Sequence, residues 1–221
     1  MPDTLPIIAR LFPDCVATAC RRIGRSTINL YPQEQELIKK AVDKRRHEFA
    51  AGRACAREAL GAIGFCPMPI LQNDARAPVW PGGVLGAISH SHTWAGAAVT
   101  RSADLCGIGL DIETIERVNL NIGRMVLTQQ ETDVHTALPD AKKKQHLALV
   151  FSAKEAVYKC LSPVSPVRIG FKDAIVRQTN GQKFEVLMSG SIANALPACA
   201  CMTGSYFLHE GCVFTGIVLG A

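Results

Sequence analysis

The stretch that decides the fold is Gly107-Ile108-Gly109-Leu110-Asp111-Ile112-Glu113, an apolar, strand-like run that ends in two carboxylates two residues apart. Alternation along a strand puts both carboxylates on one face. A second motif, Phe151-Ser152-Ala153-Lys154-Glu155-Ala156-Val157-Tyr158-Lys159, follows about forty residues later and is typical of a helix. Glu155 and Lys159 are four apart and therefore share a helix face. Together, three carboxylates and one ammonium suit a magnesium ion that bridges phosphate oxygens.

Each motif also has an ordinary interpretation. Asp111 and Glu113 could mark the point where a strand ends and its side chains face water. A glutamate followed by a lysine at i,i+4 is the favoured helix salt bridge, worth only ~0.3–0.5 kcal/mol. Lys154 could be a solvated surface residue. Spacing alone leaves both interpretations open.

Patterning elsewhere predicts an α+β fold with mainly antiparallel strands. Apolar periodicity predicts helices at 33–62, 118–137 and 145–161, the first as one bent helix or two. Strands are predicted at 84–89, 96–100, 105–112, 167–176, 183–188, 200–209 and 213–219, and residues 1–32 read as irregular. A boundary near residue 113 would divide the chain into domains 1–113 and 114–221, with no flexible linker between them.

Composition limits the class of protein. Of the 221 residues, 48% are hydrophobic and 19% charged, which is typical of a globular protein. No apolar run approaches the roughly 18 residues that a membrane span needs, and the N-terminus lacks a signal-peptide layout, so we predict a cytoplasmic protein without membrane contact. The nine cysteines include no Cys-x-x-Cys pair, which favours buried free thiols over a zinc site.

The charge pattern predicts an anionic ligand or an acidic partner. The net charge is +5. Arg46, Arg53 and Arg57 are spaced seven and four residues apart and would lie within about 40° of each other on one helix, as a phosphate cradle does. A solvated basic face is the alternative. Aromatic residues are only 6% and are not interleaved with the basic cluster, which argues against a nucleic-acid-binding domain.

The run Ser89-His90-Ser91-His92 has three interpretations. It could hold a serine nucleophile with a histidine base, but the Gly-x-Ser-x-Gly pattern is absent. It could be a His-x-His metal pair, but no third ligand is obvious. It could also be a polar turn that binds phosphate. Gly107-x-Gly109 lacks the third glycine of a dinucleotide-binding fingerprint, so that function is excluded.

In combination, these motifs resemble the 4′-phosphopantetheinyl transferase family, in particular its larger surfactin-type and enterobactin synthetase component D-like branch. The resemblance covers about residues 44–160, and its blocks occur in the family's order. Phe151 stands where much of the family has tryptophan. Besides the two acidic motifs, the blocks are Arg46-x-Glu48-Phe49-x-x-Gly52-Arg53-x-x-Ala56-Arg57-x-Ala59-Leu60, Arg76-Ala77-Pro78-Val79-Trp80-Pro81 and Gly86-Ala87-Ile88-Ser89-His90-Ser91.

The resemblance implies a reaction and an architecture. Phosphopantetheine would move from coenzyme A to a serine of an acidic apo carrier protein, with release of adenosine 3′,5′-bisphosphate. Two similar α+β halves would form a pseudo-dimer with the active site in the cleft between them. The half 1–113 would carry the basic coenzyme A-binding helix and the Ser-His loop, and the half 114–221 the catalytic helix.

The resemblance also implies residue roles. Glu155 would be the base for the carrier serine, directly or through water, and Lys159 would contact the pyrophosphate and protonate the leaving group. The magnesium ligands would be Asp111, Glu113 and Glu155. The coenzyme A-binding residues would be Arg46, Arg53, Arg57, Arg76, Ser89, His90 and Lys159, with Arg76 near the adenine end.

We therefore predict a monomeric, magnesium-dependent phosphopantetheinyl transferase. The alternative is a coenzyme A-binding or carrier-binding protein of the same fold that has no catalytic activity. The pathway stays open between siderophore, polyketide and fatty acid synthesis. The segment 116–131, just after the metal-binding strand, is a candidate surface for docking the carrier.

Overall fold

The chain divides into two units between residues 102 and 103, upstream of the boundary predicted near residue 113. The strand that carries the first acidic motif is Leu105–Thr114, and it pairs along its length with Cys212–Gly220 near the C-terminus. It therefore belongs to the second of two compact units, Met1–Ser102 and Ala103–Ala221, although the sequence had assigned it to the first half. The computed structural model describes residues 6–24, 29–165, 167–195 and 199–221.

The described elements give an α+β fold. Its helices are α1 (Pro32–Leu37), α2 (Asp43–Ala62), α3 (Gly123–Val126), α4 (Gln129–Ala137), α5 (Asp140–Leu161) and α6 (Gly190–Ala195). Its strands are β1 (Ala17–Arg22), β2 (Leu85–His90), β3 (Trp94–Thr100), β4 (Leu105–Thr114), β5 (Ala174–Thr179), β6 (Lys183–Met188), β7 (Cys201–His209) and β8 (Cys212–Gly220). The pairing between neighbouring strands is antiparallel, as predicted.

Small residues build the N-terminal unit. Its sheet has the order β1-β3-β2, and α2 packs on it. Alanines on α2 and β3 form much of the buried core, so helix and sheet approach closely. A Cβ at Gly52 of α2 would lie 2.9 Å from Ile88 of β2, so a larger side chain there would force helix and strand apart.

The C-terminal unit packs a helix on a larger sheet. The strand order is β4-β8-β7-β6-β5, and α5 lies against β4 and β8. The buried face of α5 includes Leu147, Val150 and Val157 and packs against β-strand residues such as Val213 and Ile217. Both units thus place one long helix on an antiparallel sheet. The predicted pseudo-dimer and its cleft stay predictions.

Several predicted elements are confirmed and three are wrong. The strands at 84–89, 105–112, 183–188 and 213–219 and the helix at 145–161 are present. The irregular assignment of 1–32 is wrong, because β1 pairs with β3 there. The helix at 118–137 is broken at Leu127–Thr128, where Thr128 caps α4. The strand at 167–176 starts only at Ala174, after a short 3₁₀ helix, Phe171–Asp173.

Two further observations concern the whole chain. All nine cysteines are free thiols, but only five of them are buried, and Cys15, Cys66 and Cys201 are exposed, so the prediction of buried thiols holds only in part. Across the residues that the structure describes, no helix is both long and apolar enough to cross a membrane.

Candidate active site

Two glycines allow α5 to pack closely on the acidic strand β4. A Cβ at Gly109 of β4 would lie 1.9 Å from the carbonyl oxygen of Ala156, and one at Gly107 would lie 2.6 Å from that of Cys160. Any side chain there would push α5 away from β4. Since alternate residues share a strand face, Asp111 and Glu113 leave β4 on the same side as these glycines, toward α5.

The acidic residues gather around one ammonium. Lys159 Nζ donates to Asp111 Oδ1 at 2.7 Å and to the carbonyl oxygen of Leu110 at 3.1 Å. The Asp111 side chain is only 5% exposed and that of Lys159 is 27% exposed. Lys159 therefore pairs with a buried carboxylate on β4, in addition to interacting with Glu155 on its own helix.

Electrostatics show that the three carboxylates interact. Burial, together with the negative charge of Asp111 and Glu155, raises the pKa of Glu113 to about 8, although Lys159 opposes the shift. Burial and Asp111 also raise the pKa of Glu155. One lysine thus compensates three carboxyl groups only in part, so the cluster would bind an additional cation favourably.

The cluster is not arranged as a closed metal cage. Within 6–24, 29–165, 167–195 and 199–221, no group of three or more His, Cys, Asp or Glu side chains has a metal-binding arrangement. Magnesium, however, usually keeps several waters and takes only one or two carboxylates together with substrate phosphates. Carboxylate oxygens are hard donors that fit that ion chemically, and the raised pKa values of Glu113 and Glu155 show that another positive charge would be favourable.

A pocket of about 320 Å³ opens beside Glu155. One wall is α5, with Lys154, Glu155 and Tyr158, and the other is the segment 168–171 that leads into β5. Ile169 and Phe171 make the second wall largely apolar. An extended, mostly uncharged chain could therefore lie next to the Glu155 carboxylate.

Lys154, in the α5 wall of this pocket, belongs to a buried ion pair. Lys154 Nζ lies 2.6 Å from Glu131 Oε2, and the two side chains are 1% and 2% exposed. The ammonium also donates to the carbonyl oxygens of Val126 and Phe171, both at 2.8 Å. Burial lowers the pKa of Lys154. The interpretation of Lys154 as solvated is therefore wrong, because it is among the most buried charges described.

In the N-terminal unit, Arg53 is held inside the protein. It is 4% exposed, its Nε donates to the carbonyl oxygen of Ile70 at 2.7 Å, and its guanidinium lies 4.3 Å from the ring centre of Phe49. Its Nη2 has no hydrogen-bond partner among the described residues. Desolvation lowers the pKa of Arg53 to about 10. A buried donor without an acceptor is costly and favours an anion nearby.

The other two predicted arginines have protein partners. Arg57 Nη1 contacts both carboxylate oxygens of Glu34 at 2.8 and 2.9 Å, and Glu34 is fully buried. Arg46 donates instead to the carbonyl oxygens of Ala41 and Lys39. All three predicted arginines lie on the single helix α2, but their contacts differ. Their phosphate-binding roles stay predictions.

The Ser-His run forms the end of β2 and the turn into β3. Arg45 donates to Nε2 of His90, so the ring proton of a neutral His90 lies on Nδ1, 3.7 Å from Glu48. Ser91 Oγ accepts from the amides of Thr93 and Trp94. These contacts favour the polar-turn interpretation over a serine nucleophile. Ser89 is buried in β2, 5% exposed.

Arg76 lies in a tight turn. Its backbone has a φ of 62°, its amide donates to the carbonyl oxygen of Asn73, and its own carbonyl accepts from Gln72. The left-handed conformation is uncommon for arginine and belongs to the turn. The Arg76 side chain is exposed, and its role near the adenine end of coenzyme A stays a prediction.

Three residues of these clusters, Arg45, Glu34 and Glu131, were not predicted as site residues from the sequence. Arg45 precedes Arg46, which was predicted to bind coenzyme A. The rotational position of Arg45 on α2, which the sequence does not fix, directs its side chain toward His90. Glu34 accepts from the Tyr31 amide, and the Pro-x-Glu pattern at the start of α1 was an available indication. Glu131 forms a capping box with Thr128, a Thr-x-x-Glu pattern that the sequence also displays.

Comparison with known proteins gives two family matches. Residues 33–100 match a model described as the 4′-phosphopantetheinyl transferase N-terminal domain. Residues 107–204 match one described as the 4′-phosphopantetheinyl transferase superfamily. The two matches together contain every predicted site residue.

Three relatives illustrate the range of similarity. The chain is 33% identical to the 4′-phosphopantetheinyl transferase PptT of Mycobacterium tuberculosis over 85% of both chains. It is 38% identical to the transferase Svp of Streptomyces mobaraensis over 66% of this chain, which spans only 59% of Svp. It is 35% identical to enterobactin synthase component D of Salmonella typhimurium over 60% of this chain and 55% of that protein.

Proposed function

Because this chain belongs to the 4′-phosphopantetheinyl transferase family, we propose that it transfers 4′-phosphopantetheine from coenzyme A to a serine of an apo carrier protein. The predicted family and its enterobactin synthetase component D-like branch are confirmed by these relatives. The observation that carries the proposal is the convergence of Asp111, Glu113 and Glu155 around Lys159.

We assign a magnesium ion to Asp111, Glu113 and Glu155. When bound, it would neutralise charge on the pyrophosphate oxygens of coenzyme A. The assignment is supported by the excess of carboxylates over ammonium groups and by the raised pKa of Glu113, since both show that full ionisation of the cluster is unfavourable without a further cation.

In the proposed reaction, the serine Oγ forms a bond to the phosphorus that carries pantetheine. The bond from that phosphorus to the bridging oxygen breaks, and its electron pair leaves with adenosine 3′,5′-bisphosphate. Glu155 accepts the serine proton, directly or through water, and its raised pKa brings it closer to the range in which a base works best near neutrality. Lys159 stabilises or protonates the leaving oxygen.

The N-terminal unit would bind the other phosphates. The Nη2 of Arg53 supports this proposal, because it is a buried donor without an acceptor among the described residues. The guanidinium of Arg45, which contacts His90 at the end of β2 and lies 3.8 Å from Glu48, would be a second donor to phosphate. In the C-terminal unit, the pocket beside Glu155 would hold the pantetheine arm, because its apolar wall suits a long chain with few charges.

A carrier protein would dock on the segment 116–131. Leu120 and Met125 are 52% and 58% exposed there, and Arg117 and Arg124 are exposed in the same segment. Exposed apolar side chains next to arginines complement an acidic helix that has its own apolar face. The monomeric state and the cytoplasmic location stay predictions.

A direct test uses the purified chain, coenzyme A, magnesium and a panel of apo carriers. We expect the intact mass of at least one carrier to increase by one phosphopantetheinyl group. A carrier with its acceptor serine changed to alanine should not change mass. Binding of coenzyme A without any mass increase across the panel would instead support the alternative function, a binding protein without catalytic activity.

A further inference from the structure

The buried pair of Lys154 and Glu131 requires a physical explanation. Both charges are removed from water almost completely. Such a pair often contributes no more stability than well-packed apolar residues of the same size. Its hydrogen bonds are nevertheless complete: the three ammonium donors reach Glu131, Val126 and Phe171, each within 2.8 Å.

These contacts connect both walls of the pocket beside Glu155. Lys154 belongs to the α5 wall, and its bond to the Phe171 carbonyl reaches the opposite wall. Glu131 accepts from the amide of Val176 on β5 at 2.7 Å, and it also caps α4 through Thr128. The network therefore fixes the width of the pocket at the residue next to Glu155.

We propose that Lys154 and Glu131 are positioning residues that hold the Phe171 wall at a fixed distance from Glu155. The inference rests on the proposed function, in which the pocket holds the pantetheine arm. Neither side chain needs to touch the substrate. A shift of about 1 Å at such a site can cost on the order of a hundredfold in rate.

The test separates positioning from stability with a double variant. Removing one charge, in Lys154→Met or Glu131→Gln, leaves the other buried and unpaired, so each should lower the Tm by about 10 °C. The double variant Lys154→Met/Glu131→Gln contains no unpaired charge and should regain the part of that loss that an unpaired charge causes. We expect its kcat/KM for coenzyme A to stay roughly ten- to a hundredfold below wild type, as for other supporting contacts.

Recovery of kcat/KM together with the Tm would show that the pair serves stability alone and would overturn the proposal. Lys154→Arg is a second variant that keeps the charge and changes the reach of the donors. It should remain folded with a lower kcat/KM, and wild-type kinetics would also overturn the proposal. Lys143→Met is the matched control, since it removes a pair with the 95% exposed Asp140 from the same helix.

A binding measurement keeps this inference distinct from the proposed function. Adenosine 3′,5′-bisphosphate lacks the pantetheine arm, so the double variant should bind it as wild type does while binding coenzyme A more weakly. That difference would support positioning even if wild type modified no carrier, a result that would refute only the proposed transfer. Unchanged affinity for coenzyme A, or an equal loss for both ligands, would overturn the positioning role.

Discussion

The charges of α2 and those between β4 and α5 are satisfied in opposite ways. On α2, cations find acceptors within the protein: Arg57 binds the buried carboxylate of Glu34, and Arg53 binds the Ile70 carbonyl. Between β4 and α5, Asp111, Glu113 and Glu155 depend mainly on the single ammonium of Lys159. The first arrangement is close to complete, whereas the second has an excess of negative charge.

The difference separates charges that hold the fold from charges that serve chemistry. A compensated buried charge destabilises the protein when its partner is removed. A cluster of like charges already costs stability, so removing one member costs little folding energy and can even be favourable. We therefore expect substitutions in the acidic cluster to affect turnover and those around α2 to affect stability.

The largest expected effect is that of Glu155→Gln. Loss of the proposed base should lower kcat by about 10²–10⁴-fold, because that is the usual contribution of a positioned acid or base. The Tm should stay close to wild type, since the substitution also removes repulsion from Asp111. Steady-state kinetics with coenzyme A and a modified carrier would measure the first quantity, and thermal unfolding the second.

Asp140→Asn is the control for Glu155→Gln, because it neutralises a fully exposed carboxylate on the same helix. It should leave kcat unchanged. Wild-type kcat in Glu155→Gln would remove this residue from the mechanism and would break the contrast between the two units.

Glu34→Gln should produce the largest loss of stability. Glu34 is fully buried and accepts from Arg57, from the amide of Ile70 and from the amide of Tyr31. Leaving the arginine without its charged partner should cost about 3–5 kcal/mol of unfolding free energy. Denaturant titration would measure it, with Glu36→Gln as the control, because Glu36 pairs with Lys39 at the exposed surface.

An unfolding free energy of Glu34→Gln within about 0.5 kcal/mol of wild type would contradict the structural role of this pair, since that is the range of ordinary surface substitutions. It would also contradict the proposed contrast, because the charges on α2 would then no longer be the ones that support the fold.

Arg53→Met should weaken the binding of coenzyme A, so Arg53 is the arginine of α2 for which we expect a role in function as well as in stability. Its Nη2 is the donor available for an anion, so the substitution should raise the KM for coenzyme A. A charge-assisted contact is worth ~1.5–3 kcal/mol, or about ten- to a hundredfold. Dephospho-coenzyme A lacks the 3′-phosphate and should be affected less, which a parallel measurement of both KM values would reveal.

Equal effects on both substrates would mean that Arg53 does not contact the 3′-phosphate. Arg101→Met offers a control, since Arg101 also lies over an aromatic ring, that of Phe65, but is exposed. It should change neither KM.

The acidic cluster was predictable from sequence because its determinants are local. The two-residue spacing of Asp111 and Glu113 and the four-residue spacing of Glu155 and Lys159 define faces of a strand and a helix. The role of Gly107 and Gly109 was not predictable, because it depends on how closely α5 packs on β4. That packing involves residues far apart in the chain.

The contacts of the basic residues on α2 were less predictable, because they too depend on residues that are far apart in the chain. The start of α2 at Asp43 sets the phase that turns Arg45 rather than Arg46 toward His90. The partner of Arg57 is 23 residues away in sequence, and that of Lys154 is also 23 residues away. Strand β1 was missed because its sequence, ATACRR, has little apolar alternation and is stabilised by pairing with β3.

The smallest expected effect is a gain of stability in Glu113→Gln. The carboxyl of Glu113 would ionise near its ordinary pKa of 4.5 in the unfolded chain and near 8 in the folded protein. Between these values the folded state holds a proton that the unfolded state has lost. Stability of the magnesium-free protein should therefore fall as the pH rises from about 4.5 to about 8.

Glutamine cannot ionise, so Glu113→Gln should flatten this dependence and raise the unfolding free energy at pH 8 by about 0.5–2 kcal/mol, the usual size of a single stabilising substitution. Denaturant titrations at pH 5 and pH 8, without magnesium, would measure both effects. Glu116→Gln is the matched control, because Glu116 is 82% exposed in the segment just after β4. An equal loss of stability in Glu113→Gln at both pH values would show that this carboxylate supports the fold, as Glu34 does, and the distinction between the two units would not hold.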